Sequence, residues 1–133
     1  MAYEESVTAI SLDADATIGI YTGVPGQPGS PQPHGGKQYH FVKLVGAHQV
    51  GLATGATDKV VGVLLNKPQT PGSAATVGIF GVVFVSAGGA ITAGASVGPD
   101  GNGQAIDAGA NAVAGYAISG ATAAGQLIPV LLK

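Results

Sequence analysis

Three histidines, His34, His40 and His48, are the residues of this 133-residue chain best suited to hold a metal or pass a proton near neutral pH. Their spacings of six and eight fit no common ligand pattern, and His34 lies in a Pro/Gly-rich stretch, so solvated or core histidines are expected. Asp100-Gly101-Asn102-Gly103 opens like a calcium loop but lacks the later ligands and the closing Glu. A tight type I′ hairpin turn accounts for the same four residues without an ion. "PQPHGGK" ends like a phosphate loop, yet Pro31 stands where its first Gly is needed, and Gln38 replaces the Ser or Thr.

The carboxylates give acid–base chemistry little to work with. Asp13 and Asp15 share a face if extended, Glu4 and Glu5 lie close to the first residue, and Asp58, Asp100 and Asp107 fall in turn-like sequence. There is no G-x-S-x-G, and no Arg, Trp or Cys. The residues predict no enzyme, no cofactor and no metal site.

Positioning elements must therefore serve something else. Charged residues make up 9% of the chain and hydrophobic ones 46%, with a net charge of −2. That composition predicts an ordered single domain with too few charges to cover an ordinary monomer surface, so burial against other chains is expected. The five basic residues are all lysines and are scattered, which argues against a nucleic-acid partner. "MAYEESVTAISLDADA" is acidic without an apolar core, the pattern of synthesis in a cytoplasm rather than export.

From Pro68 to Pro99 there is no charge at all. Within that window "VGIFGVVFVSAGGAITAGASV" (77–97) is long enough to span a bilayer, but it is rich in Gly and β-branched residues and lacks interfacial anchors. No membrane span is predicted. Strand alternation puts Phe80, Val82 and Phe84 on one face and Ile79, Val83 and Val85 on the other, followed by a Gly-Gly turn and a weaker return strand. "YHFVKLV" (39–45), "KVVGVLL" (59–65), "NAVAGYAIS" (111–119) and "QLIPVLL" (126–132) are further strand candidates separated by turn signals. Pro129 implies an edge position or a bulge. The fold class is all-β, a small β-sandwich or partly open β-barrel. Residues 1–38, containing "YTGVPGQPGSPQPHGG", are expected as an extended N-terminal arm and Pro/Gly-rich loop, ahead of a β body over 39–133.

The order "DKVVGVLLN", then "TVGIFGVVFVSAGGAITAGASVGPDGNGQAI", then "NAVAGYAISGATAAGQLIPVLL" resembles the small capsid decoration, or cement, proteins of tailed bacteriophages, over about residues 58–132. The resemblance implies a structural virion protein on the capsid exterior that stabilises the mature head. Its implied partners are the major capsid protein and its own copies, as a homotrimer at three-fold sites; a head-fibre base or receptor-binding module is the alternative. It also implies an arm that docks on capsid protein, here through Tyr3, Val7, Ile10, Leu12, Ile18, Ile20 and Tyr21. The subunit interface is expected at Ile79, Val83, Val85, Leu127 and Leu131, the second apolar face of the body.

Overall fold

Odd positions from Ala75 to Ala87 form an unbroken row of small and aliphatic residues, and they line the inside of a strand that organises the whole molecule. The computed structural model describes residues 7–18, 37–68 and 70–132. Among these lie nine strands: β1 (Val7–Ala14), β2 (Phe41–Gly46), β3 (Gln49–Leu52), β4 (Val60–Leu64), β5 (Ala74–Ser86), β6 (Ser96–Pro99), β7 (Ala105–Asp107), β8 (Gly115–Ala117) and β9 (Leu127–Leu132). The order is β1-β3-β2-β4-β5-β9-β8-β6-β7, and β1 also pairs with β5. That extra pairing closes β1-β3-β2-β4-β5 into a five-stranded barrel. None of the described residues forms a helix long and apolar enough to cross a membrane.

Two cores result. Inside the barrel, Ala14, Ile18, Val42, Val50, Leu64, Ala75 and Val77 pack together. The second core takes the other faces of β2 and β4, through Phe41 and Val63, and joins them to Val83, Val85, Val97, Ile128 and Val130. β2 and β4 are thus covered on both faces by this same chain at Phe41–Val42 and Val63–Leu64, by the barrel lumen on one side and the outer strands on the other.

The stretch expected as an arm contains a structural strand. β1 runs antiparallel to β5 from Val7↔Gly81 to Asp13↔Ala74, and its end pairs parallel with β3 at Asp13↔Gln49 and Ala14↔Val50. The alternation in "VTAISLDA" supplies the reason, since Leu12 and Ala14 face the barrel core while polar neighbours face out. A truncation through residue 21 unseals the barrel instead of trimming an appendage.

Three further expectations change. The Gly-Gly turn after β5 does not make a hairpin, because β5 pairs with β9 while β6 pairs with β7 and β8. Ile91 instead anchors the intervening loop, buried and bridged to Ala121. "DGNG" does lie in a hairpin loop, but Asp100 closes it by accepting from the amides of Asn102 (2.8 Å) and Gln104 (2.9 Å). Gly103 there has φ +73°, accepts from the Phe41 N–H through its carbonyl oxygen (2.7 Å), and leaves no room for a side chain against Leu52. Pro129 is in an interior strand, across from Phe84. It is tolerated because the β8 ladder ends at Ala117↔Val130, and beyond that only the Pro129 carbonyl is used, accepting from Ile118 (2.8 Å).

Barrel and outer strands are tied together at Tyr39 and His40. Tyr39, at φ +67°, donates to the Leu64 carbonyl (2.7 Å) and accepts from the Ser86 N–H (2.8 Å). Those two bonds offset a left-handed conformation that costs on the order of 1 kcal/mol. His40 is buried beside them, its Nδ1 at 3.1 Å from the Gln38 carbonyl.

Two outcomes follow from this packing. Ile18→Ala, which empties the floor of the barrel, should cost about 2–5 kcal/mol in urea denaturation. Burial holds the His40 pKa below its ordinary 6.5, so the unfolded chain binds that proton more readily. Stability is therefore full above pH 6.5 and declines as pH falls below it, down to the folded-state pKa. Urea midpoints measured between pH 7.5 and 5 should show this decline, and His40→Gln should flatten it.

Candidate functional site

Phe80, Val82 and Phe84 of β5 point away from both cores. Phe80 is 63% exposed and Phe84 47%, while Val83 and Val85 on the opposite side are 3% and 0% exposed. Pairing extends this outer face across three strands. Val82 lies opposite Leu131 of β9, which lies opposite Tyr116 of β8; one row along, Phe84 lies opposite Pro129, which binds Ile118. Leu127, opposite Ser86, and Ile118 are each 50% exposed.

No charged residue occurs in β5, β8 or β9, nor anywhere between Lys67 and Asp100 or between Asp107 and Lys133. The result is a continuous apolar sheet face with aromatic groups and no ionic character. Contiguous exposed apolar surface with clustered aromatics is the signature of an interaction site.

The structure sorts the residues expected at interfaces. Leu127 and Leu131 are on this face. Ile79 is half-buried, packed against the barrel core. Val83 and Val85 are corrected: they belong to the chain's own core, so the apolar face left for a neighbour is the one bearing Phe80 and Phe84. Of the residues expected in a docking arm, Val7 and Ile10 are exposed on β1 and Leu12 is half-buried. Ile18 is wholly buried in the barrel core with Val50 and Leu64, and is unavailable to a partner. Tyr3, Ile20 and Tyr21 lie outside the described residues.

Sequence reasoning missed Phe80, Phe84, Tyr116 and Ile118, although a signal was present. The even row of β5 carries Thr76 and Ser86, whereas the odd row is wholly small and aliphatic from 75 to 87. The uniform row fits the tight interior of a small barrel.

The charged side chains cluster elsewhere. Asp58 pairs with Lys43 (2.9 Å) and accepts from the N–H groups of Thr54 (2.8 Å) and Gly55 (3.1 Å). The Thr54 amide first, then Lys43, hold its carboxyl below the ordinary carboxylate value. This arrangement fixes the turn ahead of β4; it is not a reacting pair. His48 is in the exposed β2–β3 turn at φ +55°, far in character from the buried His40, and His34 lies outside the described residues. Among the described residues no three of His, Asp and Glu converge on a point where a metal could sit.

The family model described as phage cement protein matches residues 38–132. This chain belongs to the phage cement protein family. The cement protein's family match thus contains the whole stretch, 58–132, whose Gly/Val rhythm carries the resemblance, and reaches back through β2 and β3. Among solved structures, the chain is similar to the N base of the head fibre protein gp8.5 of bacteriophage phi29. The TM-score is 0.63 at 16% identity, covering 96% of this chain and 95% of that one. At that identity the likeness is one of fold. No curated protein matches the sequence.

The two faces of β5 in this cement protein should separate by mutation. Val85→Ala should cost about 2 kcal/mol in chemical denaturation, from lost methyl burial and the cavity left behind. Phe84→Ser should cost less than about 1 kcal/mol, since among the described residues nothing packs over that ring's outer side. Equal losses at both positions would contradict the assignment of inside and outside.

Proposed function

We propose that this cement protein binds the outer surface of an expanded phage shell as a homotrimer at three-fold positions, and that the outer face of β5, β9 and β8 is where its copies meet. Membership in the family makes it a structural, capsid-stabilising virion protein. The observation that carries the finer reading is the charge-free apolar face. Rotational symmetry brings the same patch, or its flank, around one axis repeatedly, so any charge there faces like charge on the next copy. A face with none, furnished with Phe80, Phe84, Tyr116, Leu127 and Leu131, suits self-association.

Stabilisation then works by clamping. A trimer that contacts several shell subunits at once gains from multivalency, because once one contact forms the others bind at high effective concentration. No bond need be made or broken chemically, and this reading gives the protein no catalytic role. The partners are the major capsid protein and further copies of this chain. A second reading, as the base of a head fibre, is favoured by the near full-length likeness of fold to the phi29 fibre base.

Purified expanded shells lacking the protein provide the test. Added wild-type protein should co-sediment with them, raise the temperature at which they rupture, and appear by electron microscopy as three-lobed density on the outside. The Phe80→Ser/Phe84→Ser variant should remain folded, be monomeric by light scattering, and protect poorly. Full protection by that variant as a monomer sinks the trimer contact; an elongated projection growing from each bound copy would favour the fibre base.

A further inference from the structure

β5 changes partners on one side part-way along its length. Val63 and Leu64 of β4 pair with Gly78 and Val77, and β9 takes over only at Gly81, through Leu132. Val60 and Gly62 pair with β2 on their far side. Towards β5, Val60 and Val61 have no strand partner among the described residues, whereas at Gly62 the Gly78 carbonyl of β5 already closes in. A cavity of about 240 Å³ opens at this seam, walled by Val60, Val61, Ile79, Val113 and Leu132. Asp58 and Lys59, which lead into β4, complete its lining.

The two charges there are not equivalent. Asp58 is already committed to Lys43 and to the amides of Thr54 and Gly55. Lys59 is exposed and has no ion-pair partner among the described residues. The seam therefore offers three things together: a free strand edge, an apolar socket, and one uncompensated cation beside it. A free edge satisfies an extended backbone, the socket takes one side chain, and the ammonium favours a carboxylate.

We infer that this seam receives an extended segment of the shell protein, which pairs with the β4 backbone at Val60–Val61, seats an apolar side chain against Ile79 and Val113, and sets an acidic residue beside Lys59. The inference rests on the cement reading above and names the contact through which the shell is gripped. A second copy of this chain fits less well on charge. Of its five described aspartates, Asp15, Asp58, Asp100 and Asp107 are each engaged in local turns, accepting from Thr17, Thr54, Asn102 and Gly109 respectively, and Asp13 sits within β1, paired on both sides with Gln49 and Ala74 and so not on a free edge.

The experiment compares the full chain with Lys59→Glu, Lys59→Arg and Val113→Trp, using expanded shells lacking the protein as the probe. Lys59→Glu should weaken shell binding on the order of tenfold, as reversal of a charge contact does, with larger loss at low salt. Lys59→Arg should bind as wild type. Val113→Trp should fill the socket and lose affinity to a similar extent, with thermal midpoint and oligomeric state unchanged in every variant. Should wild type bind shells and both Lys59→Glu and Val113→Trp bind equally well, the seam contact is overturned while the cement reading stands. A change of oligomeric state in Val113→Trp with shell binding intact would assign the socket to a second copy and also overturn it. Absence of wild-type binding defeats the cement reading itself.

Discussion

The thirteen residues of β5 must satisfy two cores and two sets of neighbours at once, and most of the architecture follows from that requirement. Its first half is a barrel stave between β1 and β4; its second half is flanked by β9 and belongs to the outer strands. An interior row of Ala, Val, Ile and Gly keeps the lumen narrow enough for five strands to close. β4 can approach so closely only because Gly62 carries no side chain, as a Cβ there would collide with the Gly78 carbonyl oxygen. On its other side β5 carries one extra residue, Ile79, where the pairing with β1 shifts register between Thr8 and Ala9. Because β5 passes from β4 to β9 only at Gly81, the seam is a by-product of one strand serving two units.

Scarcity of charge is the second constraint. The described carboxylates are mostly spent on local turns, where Asp15, Asp58, Asp100 and Asp107 receive backbone amides that would otherwise lack partners. Solubility of an isolated copy then rests on a few lysines and the polar turns, while the β5–β9–β8 face presents apolar surface to water. Such a surface is poorly suited to a free monomer and well suited to a repeating assembly, where each copy shields the next.

Much of this was legible in the residues. β-branched runs separated by Gly, Pro, Asn and Asp gave the all-β class, and the Gly/Val rhythm from Asp58 onward pointed to the family. Strand pairing was not legible. "SAGGAITAG" reads as a hairpin by composition, but Ile91 is drawn into the second core and bridges to Ala121, thirty positions along the chain. Pro129 reads as an edge, because local rules cannot know that β8 is only three residues long and ends before reaching it. β1 reads as an arm, since a strand with few apolar residues looks peripheral until β5 and β3 are in place to receive it. The interface is expected on the wrong face of β5, at Val83 and Val85, for a related reason: both rows are apolar, and only the sheet on the other side determines which is covered.

Closure of the barrel by β1 ties together positions from Val7 to Gly81, distant in sequence. Contacts of that separation form late and slowly, because a long loop must be closed before any pairing rewards it. The same topology makes the reverse step slow, since no stave can peel away without breaking ladders on both of its sides. A particle that must keep its genome sealed between hosts needs persistence over time more than a deep free-energy minimum. A closed ring of strands supplies that persistence through its unfolding barrier.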